Sequence, residues 1–291
     1  MADYEIPPED ELSEEIDLSE IVSDQTPAAD DNRQVDGKRH ALTVYARTIY
    51  YMRSYVTSLH GEGTPISLTR AGRYIQDLVD VYCDQPADFL GLATLKNDDE
   101  YWCFHSVNVA VLAIATGAQL GLHKAALRDL GTVALFHDIG KIDLNFELLL
   151  KNGSLNPDET QQLRKAPLFS VIRLLRTRQI NRTTIQGIFT AIEHNAHFRA
   201  AVKDLRGNTS FVVERTDLGV FSKIIALANT FDALTSRRPF RKAYSPEVAI
   251  ALMWSEMHNK FDPLYLRVFM NIMNIPAVRV PPKPDEKIVS L

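Results

Sequence analysis

The sequence of 291 residues predicts an all-α fold. Apolar residues recur at helical spacing along most of the chain, and sustained alternation of period two is nearly absent. Helix-start signals stand before several apolar runs, such as Ser67 and the pair formed by Ser245 and Pro246. One exception is a possible hairpin, with a turn around residues 206–208 and an apolar stretch at 211–213.

Composition excludes several classes of protein. Two cysteines cannot form a disulfide framework or a cysteine-rich metal site. No uninterrupted apolar run reaches the ~18 residues of a membrane span, and the acidic start is unlike a secretion signal. We therefore expect a cytoplasmic protein with no membrane attachment. No stripe of basic and aromatic residues points to nucleic acid, so nucleic-acid binding is not expected.

Negative charge is concentrated at the start of the chain. Residues 1–32 carry 12 Asp and Glu and no Lys or Arg, so the remaining 25 acids face 32 bases. A like-charged segment with few aromatic residues is expected to be disordered, here over residues 1–38. Its apolar residues could fold on contact with a protein partner; the alternative is a solvated tail. These apolar residues are Leu12, Ile16, Leu18 and Ile21.

Helical periodicity divides the rest of the chain into segments. Three N-terminal helices are predicted at residues 41–60, 67–84 and 87–95, and we expect them to pack on the later helices because no linker intervenes. Further helices are predicted at residues 105–120, 123–136, 157–178 with a break near Pro167, 183–197, 217–234, from 245, and 261–273.

The stretch 131–144, GTVALFHDIGKIDL, places His137 and Asp138 at the end of an apolar run. A buried charge has to be paired or coordinated, and imidazole with carboxylate suits zinc, iron or manganese. The alternative is an ordinary helix end, with Gly140 as a left-handed cap and Lys141 on the last carbonyls.

FHDIGKIDL, preceded by YWCFHSVNVAVLAIATGAQLGL, resembles the HD superfamily of metal-dependent phosphohydrolases. The later run IIALANTFDALTSRRPFRKAYSPEVAIALM resembles the HD-GYP subfamily, which is associated with cyclic di-GMP hydrolysis in bacterial signalling. The resemblance implies an HD-domain helical bundle with additional N-terminal helices. The expected divisions are a tail at 1–38, a helical lead-in at 39–96, an HD-GYP-like domain at 97–276 and a C-terminal tail at 277–291.

The resemblance also implies a role for individual residues at the site. Lys141 is expected near a phosphate and, with Asp138, to serve catalysis. Asp232 matches a family position that we interpret as structural. The implied metal ligands are His105, His137, Asp138, His194 and Asn229, the last standing where the family has an aspartate.

Several family positions are changed. Tyr101 stands where a glutamate is often found, and Ala166 and Asn195 stand where the family has histidines. The Gly-Tyr-Pro triplet is missing. We therefore expect no binuclear centre. Two possibilities stay open: one divalent transition metal (iron, manganese or zinc), or a metal-free pocket with a hydrogen-bonded His-Asp pair.

Two arginines are implied to contact a cyclic dinucleotide, Arg238 and Arg241, because guanidinium groups bind phosphate bidentately. The alternative is that they form salt bridges or cap carbonyls. The functional prediction is a degenerate HD-GYP-type domain that serves as a signalling module with weak or no hydrolase activity. The alternative is an active single-metal HD phosphohydrolase acting on a cyclic dinucleotide or another phosphoester.

Overall fold

A computed structural model describes residues 29–58, 66–97, 100–144, 148, 151, 156–203, 209–237, 241–274 and 288–290. These residues form a helical bundle with one small three-stranded sheet. The prediction of an all-α fold is confirmed, and the sheet is a minor addition to it.

The N-terminal part consists of α1 (Ala29–Ser58), α2 (Leu68–Asp84) and α3 (Pro86–Phe89), which continues as a 3-10 helix (Leu90–Thr94). Ser67 caps α2 as predicted, since its hydroxyl accepts a hydrogen bond from the Arg70 backbone N–H at 3.3 Å. Helix α1 begins ahead of residue 39, so residues 29–38 are helical rather than disordered. The expected disorder of residues 1–28 lies outside the described part of the chain.

Helices α4 (Tyr101–Gln119) and α5 (Lys124–Leu135) form the centre of the fold. Helix α4 is apolar around most of its circumference and is buried by its neighbours, as expected for a core helix. It is long and apolar enough to cross a membrane by length and composition, but 72% of its apolar window is buried within the fold. It ends at Gly121, whose φ of 82° is the left-handed conformation that a helix cap requires.

The N-terminal helices pack on this centre, as expected. The Tyr45 hydroxyl of α1 donates to Asn108 Oδ1 of α4 at 2.6 Å, and Asn108 Nδ2 donates to the Leu95 carbonyl at 3.0 Å. The rings of Tyr55 and Phe136 meet edge to face at 5.6 Å. The buried residues of α1 and α2 therefore belong to the same hydrophobic core as α4 and α5.

The remaining elements come after α5 along the chain. The predicted helix at 157–178 is two helices, because the chain breaks at Arg164 and Lys165, close to the predicted break at Pro167. The elements are a second 3-10 helix (Ile139–Asp143), α6 (Pro157–Leu163), α7 (Ala166–Leu175), α8 (Arg182–Glu193), β1 (Arg199–Lys203), β2 (Thr209–Glu214), α9 (Val220–Thr235), α10 (Pro246–Ser255), α11 (Pro263–Ile272) and β3 (Ile288–Ser290).

The predicted hairpin is present as β1 and β2, which pair antiparallel with Ala200 opposite Val213. The third strand, β3, pairs parallel to β2 and comes from the expected C-terminal tail. Residues 288–290 of the expected C-terminal tail therefore belong to the fold.

Gly140 lies in the second 3-10 helix and does not adopt a left-handed conformation, so the alternative of a helix cap at this residue is wrong. A Cβ atom at Gly140 would lie 2.2 Å from the Ala166 carbonyl oxygen and 2.2 Å from the Ser170 nitrogen. The Gly140 N–H donates to Ser170 Oγ at 2.8 Å. Glycine is thus required here because the backbone of α7 approaches too closely for any side chain.

Candidate metal centre

Two helices bring the expected ligands together. His105 lies in the second turn of α4, and His137 and Asp138 lie in the turn that comes after α5. Each offers a ligand atom, and these three atoms lie within 4.8 Å of one another. All three side chains are buried. The structure therefore brings together three of the residues that the resemblance implies as metal ligands, and their role as ligands stays a prediction.

Both histidines of this group are held through Nδ1. His105 Nδ1 lies 2.6 Å from Asp232 Oδ2, and His137 Nδ1 lies 2.7 Å from the Ala134 carbonyl oxygen. Since carboxylate and carbonyl oxygens only accept, each imidazole carries its proton on Nδ1. The Nε2 lone pair of each ring is then directed away from its anchor, as in histidines that ligate metals.

His137 Nε2 is buried and has no hydrogen-bond partner among the described residues. Its charged neighbour Asp138 Oδ2 is 3.4 Å away, which is too far for a good hydrogen bond. Buried polar atoms are nearly always satisfied, so an unpaired one calls for an explanation such as an ion. A divalent metal between His105, His137 and Asp138 would satisfy this lone pair, and the residues present fit such an ion.

His194 caps the end of α8 and adjoins the same group. Its Nδ1 lies 2.7 Å from the Thr190 carbonyl oxygen, and its ring meets the His137 ring at a centroid distance of 5.1 Å. Its Nε2 lies 3.4 Å from Asp138 Oδ1 and 2.8 Å from Asn195 Nδ2. Because Nδ1 donates to the carbonyl, Nε2 accepts from the Asn195 amide. Asn195 thus competes with any metal for this nitrogen.

Asp138 is ionised despite its burial. Burial opposes ionisation, but the Lys141 ammonium and then His137 outweigh it and hold the pKa of Asp138 well below its usual range. Lys141 pairs directly with Asp138 Oδ2 and lies 5.4 Å from the centre of the Trp102 ring. This lysine therefore supplies positive charge beside Asp138, and its expected position near a phosphate stays a prediction.

Asp232 of α9 acts on the site through its hydrogen bond with His105. Burial raises its pKa, but hydrogen bonding to His105 and the charge of Lys96 prevail, so the net shift of the pKa is downward. Lys96 forms an ion pair with its other carboxylate oxygen. We interpreted Asp232 from sequence as structural; its contact with His105 makes it a positioning residue as well. Lys96 was not found from sequence, since a single lysine carries no signal.

Burial lowers the pKa of His105 to about 4, although Asp232 partly opposes this shift. Burial also lowers the pKa of His194, again against the effect of a carboxylate, Asp138. Both imidazoles are therefore neutral at pH 7. A neutral imidazole is the form that binds a metal.

The positions where the family resemblance called for further ligands carry other residues here. The Tyr101 ring stacks on the His105 ring at a centroid distance of 5.2 Å. Ala166 is buried against Gly140, and the Asn195 amide is bound to His194. Asn229 is partly buried on α9, one turn before Asp232 and on the same helix face.

Lys260 is a further cation that sequence reasoning missed. Its Nζ donates to Thr230 Oγ1 of α9 at 3.0 Å. Burial lowers its pKa, and Lys141 adds to this effect while Asp138 opposes it. Lys260 is thus electrostatically coupled to the candidate centre from a loop that no motif marked.

The two expected ligand-binding arginines have different outcomes. Arg238 lies outside the described residues. Arg241 donates to the carbonyls of Ala233 at 2.9 Å and Lys242 at 2.7 Å, and its guanidinium stacks 4.2 Å from the Tyr244 ring centre. The alternative of carbonyl capping therefore describes the structural role of Arg241. Its contact with a ligand stays a prediction.

The bundle and its buried His-Asp group define the class of protein. A family model described as HD domain matches residues 82–264, more than half of the chain. The chain belongs to the HD domain family, and within it to the HD-GYP subfamily.

Curated relatives agree with this assignment. A cyclic di-GMP phosphodiesterase of Pseudomonas aeruginosa is 28% identical over 240 residues, covering 81% of this chain and 55% of that protein. The cyclic di-GMP phosphodiesterase response regulator RpfG of Xanthomonas campestris is 32% identical over 145 residues, or 50% of this chain and 36% of that protein. A 3'3'-cGAMP-specific phosphodiesterase of Vibrio cholerae is 25% identical over 177 residues, covering 60% of this chain and 36% of that protein. The chain thus spans between a third and just over half of these relatives.

A solved structure, an HD-GYP protein from Bdellovibrio bacteriovorus, superposes with a TM-score of 0.63. It covers 86% of this chain and 75% of its own, at 16% sequence identity. This similarity supports the fold.

Proposed function

We propose that this chain is a degenerate HD-GYP domain that binds a cyclic dinucleotide in the cytoplasm and hydrolyses it weakly or not at all. Relatives named as phosphodiesterases for cyclic di-GMP and 3'3'-cGAMP supply the class of ligand. The proposal assigns a signalling or regulatory role to the domain.

One observation carries the proposal. Among the described residues, the cluster that could hold a metal consists of His105, His137 and Asp138, which suffices for one ion. The neighbouring position Asn195 blocks the fourth imidazole, His194, at 2.8 Å. Two-metal hydrolysis requires a second set of ligands that holds another ion roughly 4 Å from the first. Ala166 offers no ligand atom, and Tyr101, which stands where a carboxylate is often found, stacks its ring on His105.

A single metal held by this triad would polarise a phosphate oxygen and lower the pKa of bound water. The chain's own residues provide the rest of the electrostatics. Lys141 and Lys260 carry positive charge toward the site, and phosphate oxygens are favourable partners for such ammonium groups. Asp232 keeps His105 in one tautomer. These contacts support binding of a phosphodiester even where turnover is weak.

Binding and turnover should be measured on the same protein. Isothermal titration with cyclic di-GMP and with 3'3'-cGAMP tests the ligand, and product analysis with manganese or iron tests hydrolysis. A variant with His137→Ala and Asp138→Ala is the control. We expect binding of at least one dinucleotide and equal background hydrolysis in both proteins. If neither cyclic di-GMP nor 3'3'-cGAMP binds, the proposed role is refuted.

The second candidate is an active single-metal phosphohydrolase. The buried Nε2 of His137, which no described residue pairs, favours it because this atom is poised for an ion. Turnover of a dinucleotide or simpler phosphoester that disappears in the double variant would establish this alternative. Elemental analysis of protein purified without chelator should give at most one transition-metal ion per chain; two tightly held ions would contradict both candidates.

A further inference from the structure

Helices α7 and α8 carry, on the side away from the core, an apolar surface that no described residue covers. They pack against each other and bury Ser170 and Leu174 of α7 and Thr184 and Ala191 of α8. Their opposite sides expose large apolar side chains at i, i+4 and i+7 spacing in each helix. With Ile180 of the connection, this α7–α8 face consists of Leu168, Ile172, Leu175, Ile180, Ile185, Phe189 and Ile192, exposed by 38% to 76%.

Single exposed apolar residues are ordinary, but a contiguous group is typical of an interaction site. Seven of the eleven large apolar side chains exposed among the described residues belong to this face. The surface is therefore more than scattered surface hydrophobicity.

The face is bordered by an excess of positive charge. Residues 164–193 contain six basic residues and a single acid, Glu193. Arg173 is paired with Asp143 at 2.6 Å, and Glu193 binds Ser222 and the Gly219 N–H. The other five cations form no ion pair with any described residue: Arg164, Lys165, Arg176, Arg178 and Arg182.

This charge discriminates between possible occupants. The same face of a second copy would bring like charges together, which opposes association. An anionic membrane matches the charge, but residues 164–193 contain no Trp or Tyr, the residues enriched at membrane interfaces. An acidic segment with apolar residues matches both the charge and the apolar surface.

The chain contains such a segment. Residues 9–22 hold seven acids and no base, together with the apolar residues Leu12, Ile16, Leu18 and Ile21. A segment of this kind can fold on contact with a surface that neutralises its charge.

Geometry favours exchange between two copies. Tyr55, near the end of α1, lies against Arg173 of α7, so α1 places Ala29 about 39 Å away at the helical rise of roughly 1.5 Å per residue. The eight residues from Ile21 to Ala29 span at most about 28 Å. Residues 21–29 are therefore too short to lead back along α1 to the face of the same chain, so part of residues 9–20 would also have to serve as a linker. Docking on a second copy imposes no such limit.

We propose that residues 9–22 of one copy dock on the α7–α8 face of a second copy. Reciprocal docking covers both faces in a two-fold dimer and pairs each acidic segment with a basic border. This proposal does not rest on the dinucleotide site or on any remaining hydrolysis.

Photo-crosslinking on the full chain tests the contact. p-Benzoylphenylalanine replaces Phe189 in a mixture of isotopically light and heavy chains, and mass spectrometry identifies the crosslinked peptides. The same probe at Leu264, which is exposed on α11 outside the face, is the matched control. We expect mixed-isotope dimers joined through residues 9–22 from Phe189 only. Crosslinks within one chain, between two α7–α8 faces, or to no part of residues 9–22 would overturn the proposal.

Charge exchange tests the specificity of the contact. Arg176 and Arg182 are exposed and have no ion-pair partner among the described residues, so changing both to Glu should leave the fold intact. We expect at least a tenfold loss of crosslinked dimer, restored when Glu14→Lys and Glu15→Lys are added. Failure of the first pair to reduce crosslinking, or of the second to restore it, would refute charge pairing. Salt-sensitive cosedimentation with phosphatidylglycerol vesicles that depends on Phe189 would instead identify a membrane surface and overturn the proposal.

Discussion

Replacement of Asp232 by Asn tests whether this carboxylate prepares His105 for a metal. The wild-type carboxylate is fully buried, accepts from His105 Nδ1 at 2.6 Å and pairs with Lys96. The amide of Asn has nearly the same shape, so the change removes charge and one acceptor while leaving the volume filled. His105 loses the partner that fixes its tautomer, and Lys96 loses its counter-charge.

The magnitudes can be worked out from these contacts. Loss of a group that orients a metal ligand typically weakens metal affinity about 10- to 100-fold, or roughly 1.4–2.8 kcal/mol. Breaking a buried ion pair from one side costs about 3–5 kcal/mol of folding stability when both partners are fully buried. The Lys96 side chain is 24% exposed and can turn to water, so we expect a lower cost, about 2 kcal/mol by the same reasoning.

Two assays separate the effects. Competition with a chromogenic chelator measures manganese or zinc affinity, and urea unfolding of the metal-free protein measures stability. Asp143→Asn is the matched control, because Asp143 also pairs with a cation but lies on the Arg173 side of the 3-10 helix. Metal affinity of Asp232→Asn within twofold of wild type, with stability lowered as expected, would refute the assigned positioning role.

Three further changes give direct tests. Gly140→Ala should cost about 3 kcal/mol in urea unfolding, the upper end for overpacking, because two backbone atoms lie 2.2 Å from the new Cβ; Gly91→Ala, with open space, is the control and an equal cost would contradict this. Asn229→Asp should tighten metal binding about tenfold by restoring a negative ligand, measured by chelator competition, and unchanged affinity would show that this side chain does not reach the ion. Gly121→Ala should lower stability by roughly 1 kcal/mol in thermal unfolding because its φ is 82°; an unchanged midpoint would argue against the left-handed cap.

The helices were predictable because local signals and burial agree. Ser67 caps α2 as expected, and the apolar run of α4 is the centre of the core. The start of α1 was missed since residues 29–38 are polar and lack an apolar stripe. The break at Arg164 and Lys165 was placed only approximately, because a proline tolerated in a first turn does not fix where the preceding helix stops.

The grouping of His105, His137 and Asp138 was predictable from the sequence, whereas the residues that support this group were not. His137 and Asp138 were marked by their place at the end of an apolar run, and His105 came from the resemblance; the structure brings the three together. Lys96 and Lys260 could not be found because each is a single lysine whose role depends on a contact across the fold. For Arg241, the resemblance implied contact with a cyclic dinucleotide, whereas in the structure its guanidinium donates hydrogen bonds to backbone carbonyls.

The close approach of Gly140 to α7 has an energetic consequence. Ser170 Oγ accepts a hydrogen bond from the Gly140 N–H. In the chain, Gly140 lies between Asp138 and Lys141. The same helix presents Leu168 and Ile172 outward. A contact that displaces α7 therefore displaces the backbone of the site, since Gly140 has no side chain that could absorb the motion. Thermodynamic linkage makes this effect mutual. If a contact on α7 changes the metal affinity by some factor, metal binding changes the affinity of that contact by the same factor.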